Sequence, residues 1–148
     1  MIRGGFDCST YYLQHNGYDT HAFQQEAHAL RLQEVGAALG AFVAELVAGQ
    51  VFERVTIVVY SEFGRRVREN GSKGTDHGTA APLFVLGGRV KGGLVGDHPS
   101  LAAADLADFN MKFAIDFRRV YATLLAEGLG VAPKAVLGEE FATLPLYR

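Results

Sequence analysis

Four short polar clusters carry residue types that bind metals or move protons. They are Asp19 with His21, Ser61 with Glu62 and the adjoining Arg65 and Arg66, Asp76 with His77, and Asp97 with His98. Carboxylate oxygens mixed with imidazole nitrogens suit zinc, manganese or iron better than calcium, which takes oxygen alone. A divalent ion with open positions polarises a phosphoryl or sulfuryl oxygen and activates a nucleophile. Arg65 or Arg66 offers a guanidinium fork for an oxyanion. Plainer readings compete. Asp19 or Thr20 could cap the helix that begins near Phe23. Glu62 could pair with an arginine at the surface, Asp76 could stabilise a turn, and Asp97-His98-Pro99 reads as a surface turn. His77 lies between Gly74 and the adjoining Gly78, which points to tight backbone packing and makes a functional role the stronger reading. His15 is a weaker candidate, and His28 falls on a helix surface. Cys8 reads as a buried or incidental thiol, since no third orienting group accompanies it and His15.

These clusters need elements to hold them. Val55–Tyr60 is almost wholly apolar, as expected of a strand buried on both faces of a parallel sheet. Ser9–Gln14 is short, β-branched and aromatic and predicts an earlier strand. Between them, Phe23–Val47 predicts a long helix, with Leu32, Val35, Leu39, Phe42 and Leu46 stepping by three and four along a core-facing stripe. Strand, helix and strand make a βαβ unit. Leu83–Leu86 predicts a third strand, with Pro82 at its start. Residues 87–115 are Gly-rich and weakly patterned, with a short helix near Ala102–Ala107. Asp116 reads as the N-cap of a helix that buries Phe117, Val120, Tyr121, Leu124 and Leu125 and ends at Gly128 or Gly130. The tail, Ala135–Leu146, predicts a turn and an edge strand. The expectation is an α/β fold with a mostly parallel sheet of few strands, and loops at its carboxyl edge carrying the ligands.

The bulk composition excludes several classes. The chain has 148 residues, 49% hydrophobic and 20% charged, which is one domain's length and enough for a core. A net charge of −2 with scattered basic residues is no nucleic-acid footprint. No apolar run is long enough for a membrane span, and the first residues form no signal peptide. One cysteine rules out an internal disulfide and a Cys-based zinc cluster. Gly-x-Ser-x-Gly, His-Glu-x-x-His, Walker and Gly-x-Gly-x-x-Gly motifs are absent.

Five ordered motifs carry a family resemblance: Gly17-Tyr18-Asp19-Thr20-His21, Ser61-Glu62-Phe63-Gly64-Arg65, Gly74-Thr75-Asp76-His77-Gly78, Phe84-Val85-Leu86-Gly87-Gly88 with Val90-Lys91-Gly92-Gly93, and Asp116-Phe117-Arg118-Arg119-Val120. The chain resembles the C-terminal part of the bacterial proteins grouped as domain of unknown function 1501, a family placed in the alkaline phosphatase/sulfatase superfamily. The resemblance implies a partial three-layer α/β/α fold in one domain, residues 1–148, forming the C-terminal portion of a larger hydrolase-like protein. It implies a metal-dependent hydrolase of small-molecule phosphate or sulfate esters, with zinc or manganese held by Asp19, His21, Glu62, Asp76 and His77, and with Arg65 acting on the anion. It further implies export to the periplasm. The few strands and helices counted above predict a sheet edge covered by a second copy or by an N-terminal half. Three features depart from the superfamily pattern. The first ligands are spaced Asp-x-His instead of Asp-x-x-x-His, Phe63 stands where a His is expected, and no nucleophile can be located in this chain. The alternative expectation is a non-catalytic binding or assembly module with a degenerate metal site.

Overall fold

The longest element is a helix, α1, over Gln24–Ala48. The computed structural model describes residues 2–4 and 7–148. After α1 come β1 (Thr56–Val59), β2 (Gly64–Arg65), β3 (His77–Gly78), β4 (Phe84–Gly87), α2 (Phe117–Thr123), which continues as a π-helical turn over Leu124–Gly128, and α3 (Pro133–Leu137). Single 3-10 turns lie at Ile2–Gly4, Phe52–Arg54 and Ala103–Asp105.

The sheet corrects the expected architecture. β1 pairs with β4 antiparallel, in the register Thr56↔Gly87 to Val59↔Phe84. β2 pairs with β3 antiparallel through Gly64↔Gly78 and Arg65↔His77. The fold is therefore a helical portion with two small antiparallel sheets, not a parallel-sheet α/β/α sandwich. The physical reason lies on both sides of β1. A parallel neighbour needs a helical crossover, but residues 60–83 fold back through the β2–β3 hairpin instead. Upstream, residues 9–14 form no ladder and are largely exposed, so the βαβ unit has no first strand. β1 is accordingly half-buried along its length, where full burial on two faces was expected.

α1 runs nearly where its pattern puts it, but its stripe is turned. Leu46 is buried and Val35 and Leu39 are partly covered, whereas Leu32 and Phe42 face solvent. The first-turn N–H groups of α1 have no side-chain cap. Phe23, at a left-handed φ of 46°, is the N-cap residue, so neither Asp19 nor Thr20 serves in that place. Backbone carbonyls substitute: Phe23 donates to Ser72 O and Gln24 to Lys73 O, both at 3.0 Å. Donors that a helix leaves unpaired at its start thus tie α1 to the loop before β3.

The core is small. Val120, Leu144 and Leu146 pack together with Leu83, Val85, Ile115, Leu124 and Tyr147 around them. α2 is N-capped by Asp116, whose side chain accepts from the Arg118 backbone N–H, as the sequence predicts. The Arg118 guanidinium beside it pulls the Asp116 carboxyl down to about 2. The tail adds a bridge between Val90 and Tyr147. Total accessible surface is 10513 Å², against roughly 7,400 Å² for a compact monomer of 16.0 kDa. With so little buried, each core contact weighs heavily.

Candidate metal centre

Three loops meet beside the β2–β3 hairpin. Residues 17–22 lead into α1, residues 60–63 lead into β2, and residues 66–76 link β2 to β3. Antiparallel pairing of Arg65 with His77 brings the second and third together. The contacts from Phe23 and Gln24 to residues 72–73 bring in the first. Glycine permits the closeness. A Cβ on Gly74 would lie 2.5 Å from the His21 carbonyl carbon, and one on Gly78 would lie 2.5 Å from that of Arg65. The glycines flanking Asp76-His77 therefore serve backbone-to-backbone packing of the loops that carry the candidate ligands.

Asp19 is the centre of the resulting cluster. Its Oδ1 lies 2.7 Å from His77 Nε2 and 3.0 Å from His21 Nε2. The ligand atoms of Asp19, His21 and His77 all lie within 4.8 Å of one another. His21 Nδ1 lies 3.5 Å from Asp76 Oδ1, so this ring sits between two carboxylates. The hydrogen bond from His77, reinforced by that from His21, holds the Asp19 carboxyl below the usual carboxylate range. The Asp76 carboxyl is also lowered, first by its hydrogen bond from Asn70 and then by that from His21. Both carboxylates are solvent-exposed.

The donor set suits a divalent transition metal. Two imidazole nitrogens and one carboxylate oxygen are a usual three-residue set for zinc, manganese or iron. Tetrahedral coordination at ordinary bond lengths separates donors by about 3.4 Å; here two donor pairs lie at 2.7 and 3.0 Å and all three atoms lie within 4.8 Å. The shared hydrogen bonds would be exchanged for metal bonds with release of protons.

The other expected site residues lie elsewhere in the arrangement. Glu62 is exposed and stands outside the cluster. Asp76 contacts His21 from behind. The Arg65 guanidinium donates to the backbone carbonyls of Tyr18 and Thr75, one residue before Asp19 and one before Asp76. It works as a strut between the two ligand loops. His98 bonds to Pro99 O, as a surface turn would. Cys8 is exposed, not buried, and its thiol contacts Thr10 O. His28 is not on an open surface either: its ring meets Tyr18 edge-on at 6.1 Å.

Two supporting residues escaped the sequence reading. Phe63 stacks flat on His77, with ring centroids 3.8 Å apart and 10° between planes, and Arg65 covers its ring. The side chain in the place of an expected ligand thus braces one. Asn70 is the second. Its Oδ1 accepts from Ser72 and Gly74 N–H, and its Nδ2 donates to His21 O and Asp76 Oδ1. The Asn-Gly pair at 70–71 signals a turn, but nothing in the sequence says that the turn grips His21. Outer-shell partners of this kind typically govern metal affinity by about 10–100-fold. If the cluster holds zinc, Asn70→Ala should weaken its binding by roughly that factor, measured by competition with a chromophoric chelator. An unchanged affinity would remove Asn70 from the site.

The family model described as "Protein of unknown function (DUF1501)" matches residues 7–138, spanning every candidate ligand. The chain belongs to this family. No curated protein and no solved structure matches it. No helix among the described residues is long and apolar enough to cross a membrane.

Proposed function

We propose that this DUF1501 chain binds a divalent transition metal, zinc or manganese, through Asp19, His21 and His77, as the metal centre of a hydrolase-like protein. The observation that supports it is the convergence of two imidazole nitrogens on one carboxylate oxygen, from loops distant in sequence, at 2.7 and 3.0 Å. In this reading Asp76 orients His21, Phe63 orients His77, and Arg65 and Asn70 fix the loops. Three protein donors leave positions open for water and for a phosphate or sulfate ester, whose oxygen a bound metal would polarise. Placement in the alkaline phosphatase/sulfatase superfamily would favour such esters, and that part of the proposal rests on the motifs alone.

Metal titration tests the reading. Zinc or manganese at about a hundredfold excess over its dissociation constant should stabilise the protein by about 2.7 kcal/mol, read as a rise in melting temperature. His77→Ala and Asp19→Ala should each abolish the rise. If neither metal shifts wild-type melting, the metal centre is dismissed.

One observation favours a second reading, a non-catalytic binding module. Ser61, the hydroxyl at the end of the segment that leads to the site, donates to Phe63 O at 2.6 Å and so faces its own turn. A panel of phosphate and sulfate esters separates the readings. Turnover lost in His77→Ala supports the hydrolase, and metal binding without turnover supports the module.

A further inference from the structure

Beside the metal cluster lies an open cavity of about 260 Å³ lined by Arg66, Arg68, Glu69, Asn70, Asp76 and Phe109. It is smaller than the roughly 300–1,000 Å³ that suits drug-sized ligands, so it fits a small molecule. Its cationic groups are incompletely used. The Arg66 Nε is buried without a hydrogen-bond partner among the described residues. Its Nη2 reaches Asp108 Oδ2 only at 3.5 Å. Arg68 makes no ion pair among the described residues, and its guanidinium lies over one face of the Phe109 ring, 5.8 Å from its centre. Of the two acids on the wall, Asp76 is engaged by Asn70 and His21 and also feels the charge of Arg66, and Glu69 is exposed to solvent.

Phe109 is held there against its backbone preference. Ala107 and Asn110 exchange both N–H···O bonds at 2.9 Å, which closes a two-residue turn over Asp108 and Phe109. Both turn residues have left-handed φ, 49° and 62°. Such turns ordinarily take Asn-Gly or Asp-Gly, and a bulky residue at positive φ is a genuine outlier. Here the second position carries a phenyl ring that is 48% exposed at a cavity wall. Backbone strain at a cavity motivates a functional reading.

We propose that this cavity binds a small ligand bearing an oxyanion and a planar ring. The guanidinium groups of Arg66 and Arg68 take the oxyanion as charge-assisted hydrogen bonds, and the face of Phe109 takes the ring. The site uses no metal, so it stands separately from the proposed metal centre, although Asn70 and Asp76 border both.

Calorimetry on chelator-treated protein, with phenyl phosphate and inorganic phosphate as probes, tests it. Phenyl phosphate should bind about threefold to tenfold tighter than inorganic phosphate. Arg68→Ala should weaken both probes by about tenfold or more. Phe109→Gly should erase the preference for the phenyl compound while melting at or above the wild type, since glycine accepts the left-handed turn. Zinc-induced stabilisation should survive in both variants, so a failed cavity and a failed metal centre give different results. Absent binding in wild type, Arg68→Ala binding like wild type, a phenyl preference retained in Phe109→Gly, or a lower melting temperature for that variant would each overturn the proposal.

Discussion

Gly64→Ala should unfold or severely loosen this protein. A Cβ at this position would overlap the Ala80 carbonyl and come within 2.9 Å of the Ala80 nitrogen. Both obstacles are backbone, so no side chain can swing away, and β2 must separate from the chain that follows β3. Overpacking of ordinary side chains costs about 1–3 kcal/mol and occasionally more. With backbone on the receiving side we expect about 3 kcal/mol or more, a large share of the roughly 5–15 kcal/mol that holds a typical domain. The site should fail with the hairpin, because Phe63 and Arg65 flank Gly64 and brace His77 and the two ligand loops. Gly36→Ala is the matched control. Gly36 lies inside α1 with nothing within 4 Å of an added Cβ, so alanine there should stabilise by about 0.5–1 kcal/mol through lower chain entropy. Denaturant titration of both variants, with zinc affinity of the folded fraction, decides the matter. Equal stability of Gly64→Ala and wild type would mean that β2 does not lie against Ala80 as described.

The same glycine shows what the sequence could and could not reveal. Clustered glycines near His77 announce close packing, and Gly74 and Gly78 are closely packed against backbone. What they approach is another matter: Gly64, Gly74 and Gly78 each face backbone from a different segment, and no local pattern encodes that partner. Periodicity located α1 and α2 well, because spacing by three and four survives in any tertiary setting. It misjudged which residues of α1 are covered, since a stripe says nothing about how the helix is rolled. The apolar run at β1 was legible as a strand, but its pairing direction depends on residues 60–83. Those turn back through a hairpin only two residues long on each side, too short to carry an alternation signal. For the site, residue chemistry sufficed to nominate Asp19, His21 and His77, which converge. It could not separate them from Glu62, which shares their chemistry but stands outside the cluster. Arg65 is nominated from its charge as an anion clamp, while its hydrogen bonds to the Tyr18 and Thr75 carbonyls exist only in three dimensions.

Thr123→Val should cost about 1–3 kcal/mol without touching the proposed metal centre. Thr123 is fully buried, and its hydroxyl does two things at once. It donates to Arg119 O one helical turn back and accepts from the Leu144 backbone N–H, both at 2.8 Å. Valine keeps the shape, so the loss comes from leaving a buried N–H without an acceptor. That N–H belongs to the residue that packs with Val120 and Leu146 in the core. The tail beyond it runs on to Tyr147, whose hydroxyl meets Thr56 of β1 at 3.1 Å. Loosening Leu144 therefore loosens the brace on the β1–β4 pair. Thr123→Ser separates the hydrogen bond from the packing: it keeps the hydroxyl and loses one methyl, at about 0.8 kcal/mol for the buried carbon. Hydrogen exchange at the Leu144 amide is the decisive readout, protected in wild type and in Thr123→Ser and markedly faster in Thr123→Val. Any zinc affinity of the folded protein should stay the same in both variants, because the proposed metal centre is built on the α1 entry loop and the β2–β3 hairpin. A Leu144 amide equally protected in Thr123→Val would show that some group other than the Thr123 hydroxyl satisfies it.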